Sequence, residues 1–322
     1  MALKYDPVPA LLNSGNEAII LRTRRELLDD PLATPQQMWT RPVVLRLLKK
    51  QQENGSWRYK RRTSRMRLAE DYDQIETYRV LRELVEKYGL TKENLSMIRA
   101  AEFVFGRQTE AGDFRGIYGT QYTPNYTAGL LELLVKAGYE EDPRVDRCFR
   151  WLLDCRQADG AWAIPLRTVG AKFTKKLMTT KTIEPFKPKP SSWLATGVVL
   201  RAFAAHPRFR QVPEAKAAGE ILKSMLFKKD NYGDRGSPGY WMSFTFPFWF
   251  TDLLSAMDSL SQLGFSEEDP QIAKALSWFR DNQKKDGTWE LRQLRAGGDM
   301  DVQLWSGLAI SRIFKRMYVD PP

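Results

Sequence analysis

Gln283-Lys284-Lys285-Asp286-Gly287-Thr288-Trp289 decides the fold, because this turn signature is not alone in the chain. The pattern of glutamine, three residues, glycine, one residue and an aromatic recurs from Gln51 to Trp57 and from Gln108 to Phe114. It returns from Arg156 to Trp162 with arginine in the glutamine position, and a fifth copy, Lys229 to Arg235, keeps Gly233 but loses the aromatic. The glycines stand 57, 48, 73 and 54 residues apart, and the long interval contains segment 163–190, which reads as an insertion. Self-similarity at such a period marks an array of supersecondary units.

Working outward, each signature closes an amphipathic run such as Val43–Lys50 or Val145–Cys155, and glycine there supplies the positive φ of a chain reversal. The glutamine is expected to bond the free carbonyls of its own helix end, with the aromatic packed over the turn. A second apolar-periodic run follows each loop, beginning near Ile75, Tyr126, Trp193, Phe250 and Leu304. The run from Asn16 to Leu28 supplies a sixth inner helix, and Asp142-Pro143 and Asp269-Pro270 are helix starts, where proline suits the first turn. A helical hairpin cannot bury both faces alone. The expectation is one all-α domain over residues 1–322, an α/α toroid of the α6/α6 type with a basic loop insertion at 163–190.

Composition agrees with a packed, water-soluble chain: 322 residues, 43% hydrophobic and 12% aromatic, with ten Trp. No apolar run is long enough to span a bilayer and the start lacks a signal-peptide core, so a cytoplasmic location is expected. Cys148 and Cys155 sit seven apart on one helix, beyond disulfide reach, and read as buried thiols. The formal charge of +11 is local: segment 58–67 carries six basic residues and no acid, and segment 163–190 carries seven against Glu184 alone.

The signature resembles the QW motif of squalene-hopene and oxidosqualene cyclases and the related repeat of protein prenyltransferase β subunits, over roughly residues 41–318. That resemblance implies a toroid whose central cavity takes an isoprenoid or other lipid-like substrate. In the cyclases an Asp-x-Asp-Asp motif opens an inner helix and supplies the acid. Asp71-Tyr72-Asp73-Gln74 and Asp299-Met300-Asp301-Val302 match it in part, with Gln74 and Val302 in the fourth position. By carry-over, Asp73 and Asp301 are the candidate acids and Asp71 and Asp299 their tuning partners, since clustered carboxylates share a proton. The plain alternative is that these aspartates cap inner helices. The zinc site of the prenyltransferases needs a Cys–His set, which one histidine, His206, and two outer-helix cysteines do not assemble; no metal or cofactor is expected.

The aromatic run Tyr240–Phe250 is neither helix- nor strand-periodic at first, and Pro247 marks a helix start. Trp241, Phe244, Phe248 and Trp249, with Trp193, Trp305, Tyr122 and Tyr126 from other repeats, are candidate cavity wall; inter-repeat packing is the competing reading. Arg61, Arg62, Lys175 and Lys176 on the basic segments are candidate anchors for a diphosphate head. The partners this implies are a diphosphate-bearing isoprenoid or an anionic membrane surface; nucleic acid is not the expected one. Two other readings stay open, a binding or scaffold toroid whose basic face holds a polyanion or protein, and a toroid that processes acidic polysaccharide through Tyr122 or Tyr126. A closed aromatic pocket would favour lipid, an open trench glycan, and a filled centre a scaffold.

Overall fold

The computed structural model describes residues 3–60, 69–174, 176–233, 236–294 and 301–318, with residues 69–71 described by backbone alone. Six helical hairpins follow one another. The first pairs α1 (Val8–Leu12) with α2 (Glu17–Leu27), and a short α3 (Gln36–Trp39) leads to α4 (Pro42–Leu48). Next come α5 (Ala69–Arg82), prolonged by a π-helical turn Glu83–Lys87, then α6 (Leu95–Phe105) and α7 (Pro124–Leu134), prolonged likewise by Val135–Tyr139. The series continues with α8 (Pro143–Asp154), a short α9 (Pro165–Thr168), α10 (Trp193–Ala205), α11 (Pro213–Ser224), α12 (Leu253–Gln262), α13 (Pro270–Asp281) and α14 (Val302–Tyr318). Among the described residues there is no strand, only isolated bridges, three of which close signatures. No described helix is long and apolar enough to cross a membrane.

The inner ring runs α2, α5, α7, α10, α12, α14 and back to α2. Direct packing joins α5 to α7, α7 to α10, α10 to α12, α12 to α14 and α14 to α2. Between α2 and α5 the Arg22 guanidinium closes the ring by donating to the carbonyls of Val85, Glu86 and Lys87. Inner helices run parallel: Thr251, just before α12, bonds the Leu194 carbonyl at the start of α10, while Arg316 late in α14 reaches Asp258 in the second half of α12. The α/α toroid expected from the spacing is therefore the fold, with α1, α4, α6, α8, α11 and α13 outside.

The signatures do this work differently from the expectation. The tryptophan, not the glutamine, bonds its own helix end: the indole N–H of Trp57, Trp162 and Trp289 donates to the carbonyls of Leu47, Leu152 and Phe279 at 2.8, 2.7 and 2.7 Å. The glutamine reaches forward to the next outer element, Gln51 to the Ser96 carbonyl in α6, Gln108 to Arg144 in α8 and Gln283 to Tyr5 beside α1. Where arginine replaces glutamine at 156, the neighbouring Gln157 donates instead, to the carbonyls of Phe186 and Lys189 in the insertion. The fifth copy recovers its missing indole from Trp241, which donates to the Lys228 carbonyl at 3.0 Å.

The glycines of the four aromatic-bearing signatures, at 55, 112, 160 and 287, have positive φ, whereas Gly233 of the fifth copy does not, and the reason is contact as well as turn. A Cβ on Gly55 (φ +86°) would stand 2.1 Å from the Arg99 carbonyl oxygen, and one on Gly287 (φ +82°) 2.3 Å from that of Asp6. Backbone thus meets backbone between repeats, which only glycine permits. On the inner side, threonine hydroxyls at 77, 127 and 196 accept the N–H of Trp57, Phe114 and Trp162. Asp142 and Asp269 cap α8 and α13 as expected from their Asp-Pro steps.

Candidate functional site at the mouth of the barrel

Parallel inner helices bring their N-termini, the signature loops and the basic insertion to one end, the mouth. What fills it is the segment from Ser243 to Asp252. Its polar ends tie it into a loop: the Asp252 carboxylate accepts the Thr245 N–H at 3.0 Å and the Ser255 N–H at 2.8 Å, capping α12. Helix α12 begins at Leu253, so Pro247 does not start it. Burial pushes the Asp252 carboxyl up to about 6, with its hydrogen bonds to Ser255 and Thr245 and the charge of Arg201 opposing but not cancelling it.

Between those ends, aromatic side chains turn into the ring. Phe246 stacks on Trp305 of α14 with centroids 5.7 Å apart, Phe248 meets Phe246 edge-on at 5.4 Å, and Trp249 lies 4.9 Å from Tyr78 of α5. The main chain is held by two buried guanidinium groups: Arg82 donates to the Phe248 carbonyl at 2.7 Å and Arg201 to that of Phe250 at 3.3 Å. Arg82 also lies over the Trp249 ring at 4.7 Å, and burial pulls it down to about 10, still charged at neutral pH.

Below this plug the axis is ionic. Arg201 pairs with Glu132 at 2.8 Å, Glu132 with Lys136 at 2.7 Å, and Lys136 with Glu86 at 2.6 Å. Burial alone would raise the Glu132 carboxyl, but Arg201 and Lys136 outweigh it and hold it below its ordinary value. The ring therefore encloses a plug and an ion-pair column where an apolar cavity was expected.

The candidate cavity wall is corrected accordingly. Trp193 and Trp241 are fully buried and stack on each other at 4.2 Å; Phe244 packs on Trp278 and Phe279; Phe248 and Trp305 are buried within the plug contacts. Of the candidate wall residues in that run only Trp249 stays half-buried. Tyr122 is buried too, bonding Glu184 of the insertion at 2.7 Å beside a cavity of about 450 Å³. Burial and the Glu184 carboxylate push its phenol upward.

Asp73 lies one turn inside α5, not at its start. It accepts the Tyr59 N–H at 2.7 Å and the Gln52 amide at 3.1 Å, fastening the first signature to the inner ring. Asp301 precedes α14 and accepts from the Asn16 amide at 2.7 Å. The two acids are not neighbours in the ring, since α2 stands between their helices. Asp299, Arg61, Arg62, Lys175 and the side chain of Asp71 lie outside the described residues. His206 ends α10: its Nε2 donates to the Glu140 carbonyl, and Nδ1 accepts from the Arg208 and Phe209 N–H groups. Burial lowers its pKa.

At the rim the insertion is firmly seated. Gln121 donates to the carbonyls of Leu177 and Lys181 and accepts from the Ile183 N–H, and Thr120 bonds Met178. The same insertion carries Lys172, Lys176 and Lys181, all exposed and without an ion pair among the described residues, and Phe173, next to Lys172 in the chain and 42% exposed. Phe173 meets Tyr118 edge-on at 5.2 Å, and Tyr118 meets Tyr126 at 5.9 Å. Next to Tyr126, both amide atoms of the buried Gln74 lack a hydrogen-bond partner among the described residues. A Cβ on Gly116 would stand 2.7 Å from the Gln74 amide oxygen and 2.9 Å from the Tyr126 hydroxyl, so a side chain at 116 would displace one of them. The aromatic file and the Gln74 corner were not legible in the sequence, because they join side chains of α5, the loop before α7 and the insertion.

No known family matches the sequence, and no curated protein does. Among solved structures the chain is similar to a protein from Actinoplanes (16% identity, 96% of this chain and 87% of that one, TM-score 0.44). It is also similar to the type II terpene cyclase MstE from Scytonema (12%, 85% and 96%, 0.41) and to an alpha-amylase from Clostridium perfringens (11%, 92% and 84%, 0.44). Likenesses at this level do not say what this chain does.

Proposed function

We propose that this toroid is a binding protein whose mouth holds an acidic polysaccharide at its rim. The observation that carries the reading is the filled axis: with Phe246, Phe248 and Trp249 in the ring and Arg82 and Arg201 holding their backbone, the accessible surface at this end is the rim. There, the insertion offers three exposed lysines without an ion pair among the described residues and an exposed aromatic, a combination suited to sugar carboxylates and to the apolar face of a sugar ring. Parallel inner helices add the positive ends of their dipoles to the same face. In this reading Asp73 and Asp301 serve the fold, through Tyr59, Gln52 and Asn16.

The isoprenoid reading requires the plug to withdraw and one of those acids to leave its partners. The experiment pits the two directly. Binding of a fluorescent oligogalacturonate, followed by anisotropy, is expected to weaken about tenfold between 0.05 and 0.3 M salt, as screening shortens the reach of the lysines. Combining Lys172→Glu, Lys176→Glu and Lys181→Glu should weaken it about tenfold or more with thermal stability unchanged, since exposed substitutions leave the core alone. Absent binding, together with turnover of a polyprenyl diphosphate, would overturn the proposal; chromatography of the bound oligosaccharide tells holding from cleaving.

A further inference from the structure

The far end of the barrel has a polar cavity that the mouth does not account for. The inner helices end there, and a space of about 300 Å³ opens among α2, the turn after α5, α7, α12 and α14. Five cations line it, Arg22, Arg25, Lys136, Arg312 and Arg316, against two carboxylates, Glu86 and Asp258. Glu26, Glu132 and Arg201 stand behind them, so six cations meet four carboxylates and two positive charges remain.

Part of that excess answers the helix ends. Arg22 is spent on three C-terminal carbonyls, where the helix dipole leaves partial negative charge, and on Glu26. Lys136 is shared by Glu86 and Glu132. The remaining donors are on Arg25, Arg312 and Arg316. Arg25 is exposed at the edge of this cavity with no ion pair among the described residues. Arg312 gives one terminal nitrogen to Glu26 while its Nε is buried without an acceptor. Arg316 commits Nε to Ser261 and one terminal nitrogen to Asp258. Each of these two arginines lines the cavity with only one terminal nitrogen bonded among the described residues, so the other terminal nitrogen of each is available to a ligand oxygen.

We infer that this cavity binds a small phosphate monoester. Its dianionic head sits among Arg25, Arg312 and Arg316, whose forked donors suit phosphate oxygens, and its hydroxyl-bearing body lies against Glu86, Thr91 and Gln262. The volume is at the lower end of small-molecule sites, which run from about 300 to 1,000 Å³. This site is independent of the rim and of what the rim holds.

Calorimetric titration of the full chain with glycerol 3-phosphate, and separately with inorganic phosphate, tests it. The monoester should bind saturably, and more tightly than the free ion. Arg25→Gln, which touches no described ion pair, should weaken binding about tenfold, the effect of losing one charged contact. Arg312→Lys, which keeps the charge and removes the forked terminal donors, should weaken it as well. Combining Lys172→Glu, Lys176→Glu and Lys181→Glu at the mouth should leave it unchanged. No saturable monoester binding, tighter binding of the free ion, full affinity in Arg25→Gln, or loss in the mouth variant would each overturn the assignment.

Discussion

At residue 252, burial and hydrogen bonding pull against each other, and burial prevails. Because the Asp252 carboxyl titrates near 6 in the folded chain against 3.8 ordinarily, the native state holds more protons than the unfolded one between those values. Stability contributed by this group is full below the lower value and falls as pH rises toward 6, by up to about 3 kcal/mol at 1.36 kcal/mol per unit. The carboxyls of Glu26, Glu132 and Asp258, held low by arginine and lysine neighbours despite burial, act in the opposite sense. Asp252→Asn isolates the effect: urea unfolding at pH 4 and pH 6.5 should show wild type losing about 2–3 kcal/mol relative to the variant. Parallel pH profiles would mean that the carboxyl is not buried as described. Single residues were only half legible in the sequence. Asp73 and Asp301 could be picked out as special, but the partners that occupy them, Tyr59 and Asn16, lie 14 and 285 positions away and emerge only with the fold.

Among elements, the plug and α10 touch where neither has room to spare. A Cβ on Gly197 would lie 2.3 Å from the Thr251 Cγ2 and 2.5 Å from its hydroxyl oxygen. Alanine is the better helix former by about 1 kcal/mol, so on propensity alone Gly197→Ala would stabilise α10. Overpacking against the plug should reverse the sign and leave the variant about 1–3 kcal/mol less stable by urea midpoint. A stabilised variant would show that the plug does not press on α10. Helices of this kind were legible from period and caps, as Asn16, Asp142 and Asp269 demonstrate. The plug was not, because its ten residues lack any period and its conformation is imposed by two arginines on other helices.

For the molecule as a whole, the spacing of the signatures announced a ring, and the ring closes where the last signature meets the first hairpin. Gln283 both accepts the Tyr5 N–H at 3.0 Å and donates to the Tyr5 carbonyl at 2.9 Å, while Gly287 lies against Asp6. Gln283→Ala removes both bonds at a partly buried seam, and a loss of about 1–3 kcal/mol in denaturant unfolding is expected. The same substitution at Gln51 serves as a reference within the ring; equal losses would mean that the seam is no different from an internal joint. The far-end cavity escaped the sequence entirely, since its charges come from five separate helices and carry no motif.

That seam also sets an order of events on the ribosome. Helix α2 needs α14 beside it, yet 278 positions separate the two residues that clasp. At roughly 5–20 residues per second, the apolar side of α2, with Ile19 and Leu21, waits about 15–55 s for its second neighbour. The hairpin made first is the last to be enclosed, so the nascent chain must shield that surface, by transient contact with α5 or by a chaperone, until synthesis reaches the sixth repeat.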